Sequence, residues 1–190
     1  MTLEERSRLL LDELFNERNN ANIDLLLRRE IDELLGIPPL LVVSSFGHLV
    51  GLKALIAAGA DVNTRSKTDG SSALIHAVKC GNPTVMQELL QHGADPSFED
   101  NEGMNPLMVA VMKKDSGPVN VLWQYKHKLD INRSNKNGYT LLMIAADKNW
   151  ESCVNMLISA GADKHKQANC KNLTSVLIGR KKFCNEYHLQ

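Results

Sequence analysis

Apolar positions along this chain keep a long rhythm. Leucine-led pairs stand at Leu55-Ile56, Leu89-Leu90, Leu122-Trp123 and Leu157-Ile158, each at the end of a predicted helix. A shorter helix is predicted ahead of each, with a small residue mid-way at Val43, Ala77, Ala110 and Ala145. The pairs supply an apolar stripe, and the small residues let neighbouring helices approach closely. Residues 2–18 add a further amphipathic pattern, Leu3, Leu10, Leu14 and Phe15 among charges, with Thr2 and Glu5 spaced as a capping box. Four asparagines in the seven residues Asn16 to Asn22 break it, and Asp24 to Leu35 is again amphipathic.

Glycine punctuates the helices. An opening glycine recurs at Gly36, Gly70, Gly103 and Gly138, with Asn172 where a fifth would fall, at intervals of 34, 33, 35 and 34. A closing column reads Gly59-Ala60-Asp61-Val62-Asn63, Gly93-Ala94-Asp95 and Gly161-Ala162-Asp163, degraded in the third copy to Leu129-Asp130-Ile131-Asn132. Glycine at both places permits a positive φ, so a helix can stop and the chain can turn. A fixed period of this size predicts stacked units, because one unit cannot bury its own apolar face.

The units resemble ankyrin repeats, whose pattern is D-x-x-G-x-T-P-L-H-x-A-x-x-x-G followed by V-x-x-L-L-x-x-G-A-D-V-N. The resemblance covers about residues 36–183. It implies an all-α ankyrin-repeat solenoid of stacked helix-turn-helix units with β-hairpin loops and an N-terminal helical cap. The expected organisation is a cap over 1–35, then an ankyrin-repeat domain over 36–190 with repeats 36–69, 70–102, 103–137 and 138–171 and a partial unit 172–190. Where the family reads T-P-L-H, this chain has Pro38-Pro39-Leu40-Leu41, Ser72-Ala73-Leu74-Ile75, Asn105-Pro106-Leu107-Met108 and Thr140-Leu141-Leu142-Met143, so no copy keeps the histidine. The third copy is irregular: Lys113 to Pro118 is read as an inter-helix turn with one extra residue, and Tyr125-Lys126-His127-Lys128 replaces the glycine closure.

Charge narrows the field without naming a partner. Basic and acidic side chains balance at 22 each in 190 residues, so no global field favours nucleic acid or an anionic membrane. The ends differ in sign, with nine acidic and five basic side chains in 1–35 and six basic and one acidic in 164–190; solvated end caps are the plainer reading. Cys80, Cys153, Cys170 and Cys184 have no paired spacing, which fits a reducing compartment. The charged N-terminus lacks the apolar core of a secretory signal, and no apolar run approaches the ~20 residues that span a bilayer. A cytoplasmic monomer is expected, delivered into a host cell if the source is an intracellular microbe.

No catalytic constellation stands out. His76 and Cys80 lie four apart on one predicted helix, yet a helix face offers neither an orienting third group nor an oxyanion pocket. The six histidines never take metal-site spacing, and no cofactor is implied. Leu55 to Asn63 resembles the stretch around an ankyrin asparagine that hydroxylases modify; the plainer reading is a loop asparagine satisfying backbone groups.

Function is therefore expected in the groove that the resemblance implies. The family's exposed positions carry over to Phe46, Lys79, Cys80, Met112, Lys113, Asp147 and Lys148 at the ends of first helices, and to Thr68, Asp69, Glu102, Met104, Lys136 and Tyr139 on loops, with Ser45, Ser71, Asn101 and Asn137 beside them. Aromatic residues and methionine mixed with lysines suit a protein-contact strip. The expected function is non-enzymatic binding of partner proteins through this strip, as a scaffold, adaptor or host-directed effector. The alternatives are an inhibitor or immunity protein blocking an enzyme and, from another class, an enzyme using Cys80. Trp123 is expected in the core and Trp150 half exposed.

Overall fold

A computed structural model describes residues 37–165 of the chain, so the expected cap over 1–35 and the partial unit 172–190 lie outside the described residues. The chain divides into two compact units, Met1–Asp95 and Pro96–Gln190. The first holds α1 (Pro39–Phe46), α2 (Leu49–Ala57), α3 (Ala73–Cys80) and α4 (Pro83–Gln91). The second holds α5 (Pro106–Lys113), α6 (Ser116–Trp123), a 3-10 turn at Lys126–Lys128, α7 (Leu141–Asp147) and α8 (Glu151–Ser159).

Capping fixes where the helices begin. Ser72 Oγ accepts from Ile75 N, Asn105 Oδ1 from Met108 N and Thr140 Oγ1 from Met143 N, at 3.3, 2.9 and 3.3 Å. Each satisfies a donor that the first turn leaves without a helical partner. Pro38, in the same place before α1, offers no such bond. A polar cap thus stands before three of the four first helices.

Two-residue turns join the helices of the first three pairs, and three residues, Lys148 to Trp150, join α7 to α8. Gly47 and Gly81 sit at φ 68° in the left-handed region, and a Cβ on Gly47 would collide with the Asn82 carboxamide. In the second unit Lys114 and Asn149 occupy the corresponding places at φ 56° and 50°. The α5–α6 turn is only Lys114-Asp115, the same length as Gly81-Asn82, which corrects the expectation of an extra residue there. The insertion lies at the exit of α6. Leu122 and Asp130 are eight residues apart, whereas Leu55 to Asp61, Leu89 to Asp95 and Leu157 to Asp163 are each six. The 3-10 turn takes up the difference.

Packing follows the apolar columns. In the first unit α1 lies on α3, and α2 on α4; in the second, α5 lies on α7. Val43, Ala77, Ala110 and Ala145 are fully buried, as are Leu55, Leu89, Leu122 and Leu157. The second member of each leucine pair is only half-buried at Ile56, Trp123 and Ile158. Trp123 is therefore not a core residue, contrary to expectation, while Trp150 is half exposed.

The loops are short hairpins built on one device. Ser66, Asp100 and Asn135 donate their backbone N–H to Ser71, Met104 and Tyr139. Asp100 Oδ1 and Asn135 Oδ1 then accept from Met104 N and Tyr139 N, both at 2.9 Å. Single antiparallel bridges, Arg65 with Ser72 and Ser134 with Thr140, mark their bases. Neighbouring loops are tied together by asparagine. Asn63 donates through Nδ2 to Gly93 O and accepts at Oδ1 from Asp95 N, at 3.2 and 2.9 Å. Asn132 repeats this on Gly161 O and Asp163 N, at 3.4 and 2.7 Å.

Candidate protein-interaction surface

In the first unit the surface grows from the ends of α1 and α3 and from the hairpin between α2 and α3. Phe46 closes α1 just before the left-handed turn and is 36% exposed, while Lys79 and Cys80 close α3 and are exposed. Lys79 Nζ reaches the hairpin, 3.3 Å from Asp69 Oδ2 and 3.0 Å from Ser71 Oγ, and Ser71 Oγ itself donates to Asp69 Oδ2 at 2.7 Å. Partial burial pushes the Asp69 carboxyl up. Hydrogen bonds from the Ser71 side chain and backbone, then Ser66 and Lys79, outweigh that and hold it well below the usual carboxylate range. Thr68 is exposed at the hairpin tip, its hydroxyl 2.8 Å from Ser66 Oγ. Of the five sequence-predicted residues here, Thr68, Asp69 and Lys79 are brought together through Ser66 and Ser71, and Asp69 and Lys79 are joined by an ion pair.

Beneath this patch α1 and α3 are pinned by a polar contact. Ser45 Oγ lies 2.8 Å from His76 Nδ1, and His76 Nε2 is buried without a hydrogen-bond partner. No repeat column marks His76, so sequence reasoning found only its spacing to Cys80. Burial, with the Lys79 charge, lowers its pKa from 6.5, opposed by Asp69. The sign follows from linkage. With the folded-state pKa below the unfolded value, the neutral ring costs nothing above pH 6.5, and stability is lost as pH falls through 6.5 towards the folded value. Urea midpoints measured from pH 7.5 down to 5 should fall for the parent, and fall less for His76→Gln.

In the second unit the corresponding positions are the ends of α5 and α7 and the two hairpins ahead of them. Met112 is 46% exposed, and Lys113, Asp147 and Lys148 are exposed. Lys136 N donates to Glu102 O at 3.0 Å, which sets these two exposed residues of successive hairpins side by side. A Cβ on Gly103 would stand 3.0 Å from Lys136 N, so this approach requires glycine. Tyr139 is half-buried.

Met104 departs from expectation. It is 7% exposed, and its sulfur accepts from Asn135 Nδ2 at 3.2 Å. The chain turns between them at Gly103, in the left-handed region at φ 74°, leaving Glu102 exposed ahead of the turn and Met104 buried after it; Ser71, in the same place one repeat earlier, is fully buried too. Met104 therefore belongs to the core and not to the contact strip. The signal was available: 71 and 104 each follow the opening glycine directly.

Among the described residues no group of three or more His, Cys, Asp and Glu is placed to hold a metal ion, and no helix is long and apolar enough to cross a membrane. Burial pushes the Cys153 thiol up to about 11, so it stays protonated.

Comparison with known proteins gives the repeats a setting. The family model described as "Ankyrin repeats (3 copies)" matches residues 8–100, 40–135 and 94–168. A Fowlpox virus (strain NVSL) protein named for ankyrin repeats is 34% identical over 126 residues, covering 65% of this chain and 37% of its own length. Alpha-latrocrustotoxin-Lt1a of Latrodectus tredecimguttatus is 32% identical over 122 residues, covering 64% and 8%. NF-kappa-B inhibitor alpha of Sus scrofa is 32% identical over 99 residues, covering 50% and 31%. The chain thus spans well under half the length of these curated relatives.

Proposed function

The chain belongs to the ankyrin repeat family, and from that premise we propose that it binds partner proteins without catalysis, through its first-helix ends and hairpin tips. Ankyrin repeats are protein–protein interaction modules. The observation that carries the reading is a division of labour along each first helix. Leu74, Ile75, Ala77 and Val78 of α3 are buried while Lys79 and Cys80 at its end are exposed; Leu107 to Val111 of α5 are buried while Met112 and Lys113 are exposed. The fold uses the body of each helix and leaves its end for contact. A surface already held in place by caps and tight turns loses little entropy on association.

Use as a scaffold or adaptor is the plainest form of this proposal, and delivery as a host-directed effector is a variant of it. An inhibitory role is the second reading, favoured by the relative named as an inhibitor. The test is affinity capture by the full chain beside a Met112→Glu, Lys148→Glu variant. Both sites are exposed, so the melting temperature should stay within about 3 °C of the parent's. Proteins retained by the parent should be lost by the variant. Equal retention would remove these positions from the binding surface.

A further inference from the structure

The exit of α6 carries a second surface that the first-helix ends do not explain. We propose that the stretch Trp123 to Lys128 docks an acidic polypeptide segment. The exit from the second helix is two residues longer here than in the other three copies, and the added length builds a 3-10 turn in which Lys126, His127 and Lys128 are all exposed. Among the described residues none of these three takes part in an ion pair. Asp130, close by, has its Oδ1 accepting from Asn132 N at 2.9 Å.

The ammonium groups are held over rings. Lys126 Nζ lies 5.3 Å from the Trp123 ring centroid and Lys128 Nζ 6.0 Å from that of Tyr125. Cation–ring contacts of this kind fix a flexible side chain without consuming its charge. Two cations are thus pre-ordered beside a half-buried indole, which lowers the entropy lost when a carboxylate arrives. Cations also suit a helix C-terminus for reasons internal to the fold. That does not account for this cluster, since α2, α4 and α8 end without a basic residue in the last turn.

Carboxylates fit better than a nucleic acid. The rings already carry the chain's own lysines, which a stacking base would have to displace from the faces they cover. The net charge of zero gives no wider field to hold a phosphate backbone. A short run of Glu or Asp matches the two lysine ammonium groups of one turn. The site stands on the second helix of its pair, so it does not depend on the contact strip proposed above.

The experiment titrates labelled hexaglutamate into the full chain at low salt and follows anisotropy. A hexauridylate of similar charge is run in parallel. The peptide should bind the parent, and Lys126→Gln, Lys128→Gln should weaken it about tenfold, the loss of two close charge pairs. Raising salt past about 0.15 M should weaken binding to the parent, because exposed charges are then screened beyond about 8 Å. The control Lys53→Gln, Lys164→Gln, two exposed lysines outside both surfaces, should stay within about twofold. Absence of peptide binding, equal loss in the control, or tighter binding of hexauridylate through the same two lysines would each overturn the proposal.

Discussion

Leu89→Ala should lower the unfolding free energy by about 3 kcal/mol, the largest single effect expected. Leu89 is fully buried in α4, which packs on both α3 and α2, so it is enclosed by its own pair and by its neighbour. Truncation removes the transfer energy of three carbons and leaves a cavity that two capped helices cannot collapse around. Val50→Ala is the internal comparison. That side chain is 68% exposed on α2, and its loss should change stability by no more than about 0.5 kcal/mol. Urea unfolding of both variants checks the pair. Equal, small effects would mean that α4 is not buried as described.

Asn63→Ala should cost about 2 kcal/mol, a large value for a side chain at a loop. Its carboxamide donates to Gly93 O and accepts from Asp95 N, so one residue closes two bonds to the next loop. Alanine leaves Asp95 N–H without this acceptor, and the lost bond and the stranded donor act together. Asn63→Asp keeps the acceptor but sets a carboxylate against Gly93 O, and should fall between parent and alanine variant. Asn132→Ala should repeat the loss in the second unit, where the partners are Gly161 O and Asp163 N. Denaturant midpoints for the three variants decide the matter. An Asn63→Ala protein as stable as the parent would show that the bridge adds nothing.

Much of this architecture was legible in the sequence for a physical reason: a repeated fold repeats its constraints. Glycine marks the places where φ is positive, at 70, 103 and 138 and again at 59, 93 and 161. Small residues mark fully buried positions mid-way along the first helices, and the first leucine of each pair is fully buried as well. What escaped was set by single residues rather than columns. The αL turn at Lys114 uses a residue that seldom takes that conformation, so the short turn looked like an insertion and the true one, at Lys126–Lys128, was misplaced. Met104 looked like an anchor because methionine and a loop position suggest contact, whereas it follows the left-handed turn at Gly103 and is buried. The Ser45–His76 contact joins residues 31 apart that have no counterpart in the other copies. The exposure of Phe46, Lys79, Met112 and Lys113 was legible as positions, whereas the Asp69–Lys79 pair and the Glu102–Lys136 approach needed coordinates.

The most direct measurement is hydrogen exchange of the full chain, alone and saturated with a protein it retains in affinity capture. Slowed exchange should concentrate at the helix ends around Phe46, Lys79-Cys80, Met112-Lys113 and Asp147-Lys148, and at the hairpin tips around Thr68 and Lys136. Protection confined to α2, α4 and α8, with those ends and tips unchanged, would contradict the account.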